Sequence, residues 1–327
     1  MSPSLTFLER CRADTGFQVD VLEKVVRLGE LAADVARHPF LGPSLALKGG
    51  TALNLAFGEP SRLSVDLDFN YIANVDRAVM LRDRPQVEAA VTELARRHGY
   101  RVQHSSDAFA GRKLHLTYRS VLGPDDRIEV DLNYLMRLPL GAPEQRPLWQ
   151  PGGLDRPTLR VVSLNELLVG KLLAFLDRAA PRDVWDVAHL PAADAAGVGT
   201  AEFRRWFIGM AAVLPSPLCT YTRDRLQAHV TERVLTEQLL PMLIAGTPVS
   251  AAKLIDQAWT AVAPLLELTE TERAYLDTFD SGELRPEALF SSDPNAATVI
   301  AAHPAIQWRL QNIREHRARQ RSRADRA

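Results

Sequence analysis

The chain contains 327 residues, which is enough for two domains with their own hydrophobic cores and excludes a disulfide-stabilised miniprotein. Hydrophobic residues make up 46% and charged residues 24% of the sequence, and this composition excludes a mainly disordered chain. A formal net charge of −1 excludes a uniformly basic surface that would coat nucleic acid, although a local basic patch stays compatible with it.

The two cysteines, Cys11 and Cys219, are far apart and show no spacing typical of a zinc site or a redox pair. Charged residues interrupt residues 1–20, so this segment lacks the apolar core of a signal peptide. No apolar run approaches the ~18 residues that a membrane-spanning helix needs. We therefore expect a cytoplasmic protein that does not enter a membrane.

The first half mixes helix and strand patterns. Apolar residues at helical spacing predict helices at residues 22–35 and 86–97. Short apolar runs predict strands at residues 45–48, 65–71, 100–104, 113–118 and 128–135. The turn residues at 123–126 predict a hairpin between the last two strands.

The second half is predicted to be helical. A segment rich in Pro and Gly at residues 139–157 is typical of a connector, and Ser163 with Glu166 forms a capping-box signature after it. Further helices are predicted at residues 201–213, 222–240, 251–266 and 270–279. We therefore predict an α/β (α+β) protein, with a mixed sheet flanked by helices in residues 1–154 and an all-helical domain in residues 155–327.

The C-terminal residues 309–327 contain seven arginines against Glu315 and Asp325. This pattern predicts a basic helical tail or a disordered arm. It is compatible with RNA binding and with an ordinary solvated helix face.

Two acidic residues, Asp66 and Asp68, alternate with apolar residues in a predicted strand. Because side chains alternate along a strand, both carboxylates point to the same face. Like charges this close are costly without a cation between them, and Mg²⁺ prefers such oxygen ligands. Asp131, in another alternating strand, is the expected third carboxylate. Three such groups can hold two Mg²⁺ ions that neutralise a triphosphate and activate an attacking hydroxyl.

Gly49, Gly50 and Thr51 directly follow the predicted strand at residues 45–48. Two glycines permit unusual torsions and close approach, and the start of the next helix offers N–H groups to a phosphate. The Thr51 hydroxyl can add a further donor. An ordinary strand, turn and helix has the same pattern, but the acidic strand that follows favours NTP binding.

Lys171, one of only five lysines, stands within an apolar helical run. Its ammonium group can contact a triphosphate or a leaving pyrophosphate, and a surface lysine with a buried stem is the alternative. Asp183 and Asp186 share one helical face at i, i+3 spacing. This spacing is compatible with two roles. The aspartates pair with Arg178, Arg182 or Lys171 and so orient the site, or they form a purely structural ion pair.

Four motifs occur in order between residues 45 and 190: K-G-G-T-A-L, R-x-S-x-D-x-D beginning at Arg62, K-L-x-A, and R-x-x-x-R-D-x-x-D. Together they resemble the AbiEii/AbiGii group of nucleotidyltransferase toxins, which includes the Men toxins, within the DNA polymerase β-like superfamily. By this resemblance Asp66 and Asp68 match the metal-binding pair, Ser64 the motif serine, Lys171 the essential lysine and Asp186 the helical aspartate. The resulting nucleotide-binding set is Gly49, Gly50, Thr51, Arg62, Ser64, Lys171 and Asp183, and the catalytic set is Asp66, Asp68, Asp131, Lys171 and Asp186.

The resemblance implies Mg²⁺-dependent transfer of a nucleotide from an NTP to an acceptor. In the Men toxins of mycobacteria the acceptor is the 3′ end of tRNA, and the added nucleotides block aminoacylation and hence translation. Such toxins are encoded beside an antitoxin and are linked to abortive phage defence. The expected partners are therefore tRNA, an NTP and a cognate antitoxin, with a monomer slightly favoured.

Two alternatives stay open from the sequence. In the first, the enzyme modifies a protein or a small molecule such as an antibiotic. In the second, the chain is a former transferase that only binds a partner. The intact acidic motif, glycines and lysine count against the second alternative, because a chain without catalysis would not need them.

Overall fold

A computed structural model describes residues 3–190 and 198–324 of the chain, with side chains described up to residue 320. The first half contains one mixed sheet, whose strands are β1 (Leu45–Lys48), β2 (Asp66–Tyr71), β3 (Arg101–His104), β4 (Gly111–Arg119), β5 (Asp125–Asn133), β6 (Glu144–Pro147) and β7 (Thr158–Val161). Their order is β3-β4-β5-β2-β1-β7-β6. β2 pairs in parallel with β5 and β1 with β7, whereas the other neighbours are antiparallel.

Five helices accompany this sheet: α1 (Leu5–Thr15), α2 (Val19–Arg37), α3 (Leu41–Ser44), α4 (Gly49–Ala56) and α5 (Arg77–Arg97). Alternate residues of β4 and β5, such as Leu114, Leu116 and Val130, are fully buried and form the core with α2 and α5. The predicted alternation of β2 is present, because Leu67 and Phe69 are buried while the aspartates between them are partly exposed. The sheet therefore has one apolar face and one polar face.

The prediction of α5 was too short at its N-terminus. The helical spacing of Val87, Ala90, Val91 and Leu94 predicts a start at residue 86. In the structure the helix begins at Arg77, where the Asp76 side chain accepts a hydrogen bond from the Val79 N–H at 2.9 Å, and Pro85 lies inside the helix.

The segment predicted to be a connector contains β6, which pairs with β7 at the edge of the sheet. β7 follows residue 154 and its Leu47 to Val161 pairing joins it to β1. The buried apolar residues form two clusters, one drawn from residues 8–167 and one from residues 168–310. The division into domains at residue 154 stays a prediction, and the sheet itself extends beyond that position.

The described part of the second half is helical: α6 (Leu164–Arg178), α7 (Pro181–Ala188), α8 (Ala201–Ala211), α9 (Arg223–His229), α10 (Glu232–Gln238), α11 (Ala251–Leu266), α12 (Glu270–Asp280), α13 (Pro286–Leu289), α14 (Pro294–Ala302) and α15 (Pro304–Ala324). The single helix predicted at residues 222–240 is wrong. It is two helices, because the chain is extended at Val230 and Thr231, and Thr231 caps the second helix through Val234 N–H. The predicted fold class, a mixed sheet followed by helices, is confirmed.

The basic tail is helical as far as Ala324, which decides between the two predicted forms for the described residues. Residues 325–327, the end of that tail, lie outside the described residues. Across the described ranges, none of the helices combines the length and apolar character needed to cross a membrane.

Candidate active site

The pairing of β2 with β5 brings the predicted carboxylates together. Asp68 lies opposite Asp131 in the register of the two parallel strands, and Asp66 lies opposite Glu129. All four side chains line one cleft of about 250 Å³ between the sheet and helices α6 and α7. The acidic strand motif and Asp131 therefore meet in space, as the alternation predicted.

Burial is the main cause that raises the pKa of Asp66, and the neighbouring Asp68 and Glu129 raise it further. Arg182, whose Nη1 lies 3.5 Å from an Asp66 oxygen, and Lys113 act in the opposite direction but do not cancel the rise. The pKa of Asp131 is raised by burial and by Asp68 in the same way. Burial and the neighbouring acids at Asp66 and Asp131 therefore outweigh the cations that surround these two carboxylates.

As the side chains stand, the described residues contain no group of three or more acidic, histidine or cysteine side chains close enough to hold a metal ion. The chemistry of the donors nevertheless fits a hard divalent ion, since carboxylates converge from two adjacent strands in register and repel one another. Asp66, Asp68 and Asp131 are the residues that would bind it.

The glycine pair lies against these residues at the start of α4. Gly49 has φ = +74°, and a Cβ atom there would collide with the Asp68 carboxylate. A Cβ atom on Gly50 would lie 2.8 Å from Arg62 Nη2 and 2.9 Å from Ser64 Oγ. Glycine is required at the first position by backbone conformation and at both positions by close approach.

Thr51 is placed differently from its expected role at a phosphate. Its side chain is fully buried, and the hydroxyl donates a hydrogen bond to the backbone carbonyl of Asp66. Thr51 therefore fixes the start of β2 and does not line the cleft. Ser64 is also buried but does line the cleft, beside Gly50.

A buried ion network joins the two halves of the chain. Asp186 accepts two hydrogen bonds from Arg62, with Nε to Oδ1 at 2.7 Å and Nη2 to Oδ2 at 2.6 Å. Lys171 Nζ lies 2.8 Å from the same carboxylate and 2.9 Å from Oδ1 of Asp183. Asn54 of α4 adds a hydrogen bond to Asp186 at 3.2 Å.

The cations of this network have the opposite effect to that seen at the sheet. Burial alone would raise the pKa of Asp186, but Arg62 and Lys171 lower it to about 2. The pKa of Asp183 is also lowered, by Arg178 and Lys171, despite its burial. Asp186 is enclosed by its partners and does not line the cleft, so its contacts are those of a residue that positions Arg62 and Lys171.

The structure brings most of the predicted site residues to one cleft: Gly50, Arg62, Ser64, Asp66, Asp68, Asp131, Lys171 and Asp183. Three further predicted residues do not line the cleft but contact residues that do. Gly49 lies against Asp68, Thr51 is bonded to the Asp66 carbonyl, and Asp186 pairs with Arg62 and Lys171. The sequence analysis missed Lys113 and Glu129, which line the sheet side of the cleft, and Asn54. Of these three residues, Lys113 could have been found from the sequence, because it is one of only five lysines and lies on the polar face of a predicted strand.

The family model for the AbiEii nucleotidyltransferase toxin of type IV toxin–antitoxin systems matches residues 31–261. Among solved structures, the chain is similar to MenT4, a nucleotidyltransferase toxin from Mycobacterium tuberculosis H37Rv, with a TM-score of 0.56 and 20% sequence identity. That match covers 90% of this chain and 97% of MenT4, and at this identity it supports the fold alone. No curated protein matches the sequence significantly.

The family match covers well over half of the chain and includes all residues of the cleft. The family implies an NTP substrate and a cognate antitoxin. The chain therefore belongs to the AbiEii family and is a nucleotidyltransferase toxin of a type IV toxin–antitoxin system.

Proposed function

We propose that this enzyme transfers a nucleotidyl group from an NTP to the 3′ end of a tRNA in a Mg²⁺-dependent reaction, and that the modified tRNA can no longer be aminoacylated. Translation then stops, which accounts for toxicity and for a role in abortive phage defence. The acceptor belongs to the cytoplasm, so the reaction takes place there. The observation that carries the proposal is the pairing of a carboxylate wall on β2 and β5 with a cationic wall on α6 and α7 across one cleft.

The cationic wall suits a triphosphate. Arg178 and Arg182 have side chains that are 63% and 40% exposed and line the cleft, so they can contact phosphate oxygens. Lys171 has three N–H donors, of which Asp183 and Asp186 take two. Its third donor is left for the leaving pyrophosphate, and Gly50 permits close approach of the backbone to the nucleotide.

In the proposed reaction, the 3′ hydroxyl oxygen forms a bond to the α-phosphorus while the bond from that phosphorus to the bridging β-phosphate oxygen breaks. The hydroxyl proton passes to the Asp131 carboxylate, which lies opposite Asp68 on β5 and lines the cleft. Pyrophosphate leaves toward Arg178 and Arg182. Bound Mg²⁺ would supply neutralisation of triphosphate charge at Asp66 and Asp68.

The proposal is tested by incubating the purified chain with each of four labelled NTPs, total tRNA and Mg²⁺, with EDTA in a parallel reaction. We expect label at the 3′ end of RNA from at least one NTP, and its loss with EDTA. Label in a protein or small-molecule fraction instead would contradict the RNA acceptor, and unchanged transfer with EDTA would contradict the metal.

A further inference from the structure

The carboxylates of the cleft lie at one end of a longer row of polar side chains on the sheet. β4 and β3 continue the polar face beyond β5, because His115 is opposite Glu129, and Thr117 is opposite both Arg127 and Arg101. We use the term β3–β5 face for the charged members of this row other than the cleft carboxylates Asp66, Asp68 and Asp131: Arg101, Lys113, His115, Arg119, Asp125, Arg127 and Glu129. The face is continuous with the cleft, since Lys113 and Glu129 belong to both.

This face is open to solvent. The side chains of Arg101, Arg119 and Arg127 are 70%, 74% and 63% exposed. The residues between them on β4 and β5 are buried against the helices on the other side of the sheet. A one-sided sheet next to a catalytic cleft offers a surface on which an acceptor can lie.

The β3–β5 face has an excess of positive charge, although the whole chain has a net charge of −1. Arg101, Lys113, Arg119 and Arg127 outnumber Asp125 and Glu129. Each acid lies among several of these cations: Glu129 is 2.9 Å from Lys113 Nζ and 3.5 Å from Arg127 Nη2. His115 lies 3.1 Å from the same carboxylate. The charge pattern complements a chain of phosphates.

The position of the face relative to the cleft also fits the acceptor. Lys113 and Glu129 line the cleft together with the sheet carboxylates, so a strand that lies on the face leads directly to the reacting groups. Arg127 is four residues from Asp131 along β5, roughly 13 Å at the rise of a strand. That length accommodates several phosphates at a rise of about 3.4 Å in a stacked strand.

We propose that the β3–β5 face binds the phosphate backbone of the acceptor nucleic acid next to its reacting 3′ end, with Arg101, Arg119 and Arg127 as phosphate contacts. This inference rests on the proposed function and adds the surface that holds the acceptor. Contacts to phosphates position a strand but carry no base information. The face therefore orients the acceptor, and the choice of RNA species depends on other contacts.

The test compares two triple variants of the full chain. The first is Arg101→Ala, Arg119→Ala and Arg127→Ala. The matched control is Arg97→Ala, Arg233→Ala and Arg285→Ala, which removes three equally exposed arginines that also pair with a nearby glutamate. Both variants lose the same charge, so a general electrostatic effect changes both alike.

RNA affinity is measured without NTP at several salt concentrations, and transfer is measured separately as KM and kcat for RNA. For the first variant we expect about 100-fold weaker RNA binding, a salt slope smaller by about 2, a raised KM and a nearly unchanged kcat. NTP binding should not change. Arg127→Lys, which keeps the charge, should retain most of the affinity of the wild type.

Equal RNA affinity and salt slope in the two triple variants would overturn the inference while leaving RNA as the acceptor. RNA binding that depends on the face without any transfer to RNA would keep the face as an RNA-binding surface but overturn the proposed function. A wild type that binds no RNA, or a face whose loss slows transfer only to a protein, would overturn the assignment of nucleic acid to this surface.

Discussion

Two pairs of buried aspartates, one on the sheet and one on α7, have opposite electrostatics. Burial and neighbouring acids raise the pKa of Asp66 and Asp131 on the sheet. Asp183 and Asp186 on α7 are buried as well, yet their cationic partners lower the pKa of both. Since burial is common to the two pairs, the difference comes from how closely cations surround each carboxylate.

This difference separates the parts of the cleft that hold the fold from those that are available for chemistry. The network around Asp186 satisfies its own charges and connects Arg62 before β2 to Lys171 on α6. Asp66 and Asp131 remain short of positive charge, which a substrate complex can supply. We therefore expect substitutions at the sheet to reduce activity and substitutions in the network to reduce stability.

The largest effect is expected for Asp68→Asn, which removes a carboxylate that faces Asp131 and lies against Gly49. Nucleotide transfer should fall about 1,000-fold or more, because the phosphate and metal charges lose a principal partner. Growth inhibition on expression should disappear. Thermal unfolding should be close to that of the wild type, since the cleft side chain is not part of the ion network.

Asp224→Asn is the matched control for this prediction, because Asp224 is exposed in the first turn of α9, outside the cleft. It should transfer nucleotides at the normal rate. Toxicity of Asp68→Asn equal to that of the wild type would show that growth inhibition does not depend on the carboxylate wall.

The second effect is on stability. Asp186→Asn keeps the shape of the side chain but leaves Arg62 and Lys171 buried without their shared anion. We expect a loss of about 3 kcal/mol in the free energy of unfolding, measured by urea denaturation. Asp177→Asn, an exposed aspartate near the end of α6, should change it by about 0.5 kcal/mol at most. Equal stability of the two variants would contradict a structural role for the network.

The sheet wall could be predicted from sequence because its signals are local. Asp66 and Asp68 alternate with the buried Leu67 and Phe69 within six consecutive residues, and the glycine pair marks the turn between β1 and α4. The same alternation identified β5 and with it Asp131. A period of two residues is sufficient to fix which side chains share a face.

The network and the β3–β5 face depend on contacts that no local pattern contains. Arg62 and Asp186 are 124 residues apart in the chain, so only the packing of the two halves shows that they form a pair. The position of Lys113 depends on the register between β4 and β5, which places it opposite Asp131. β6 and β7 were missed for a related reason, since short strands within a proline-rich segment resemble a connector.

A third prediction tests how tightly the glycine turn is fitted to the sheet wall. Gly49→Ala should reduce stability by about 1 kcal/mol, because alanine is strained at φ = +74°, and should also displace the Asp68 carboxylate. We expect transfer to fall by about 10-fold to 100-fold. Gly58→Ala has the strain without the collision, since φ is +128° and no atom lies near the added Cβ. It should lower stability but leave the transfer rate of the folded enzyme unchanged, and an equal loss of transfer in both would contradict the fit.

The smallest predicted effect is the pH dependence of stability, which has opposite signs for Asp66 on the sheet and Asp186 on α7. A carboxyl whose pKa is raised in the folded state costs stability at neutral pH, and this cost decreases as the pH falls from the folded pKa to the ordinary aspartate pKa. Asp66→Asn should therefore increase the free energy of unfolding at pH 7, with a smaller gain at pH 4. The lost contact with Arg182 costs little, because that arginine is 40% exposed and its nearest distance is 3.5 Å.

Asp186 has the reverse dependence. Its stabilising contribution is complete above the ordinary aspartate pKa and is lost as the pH falls toward about 2. Urea denaturation of the wild type and both asparagine variants between pH 7 and about pH 2 measures the two differences. If Asp66→Asn destabilises the chain at pH 7, nearby cations neutralise the Asp66 carboxylate. The electrostatic difference between Asp66 and Asp186 then does not hold.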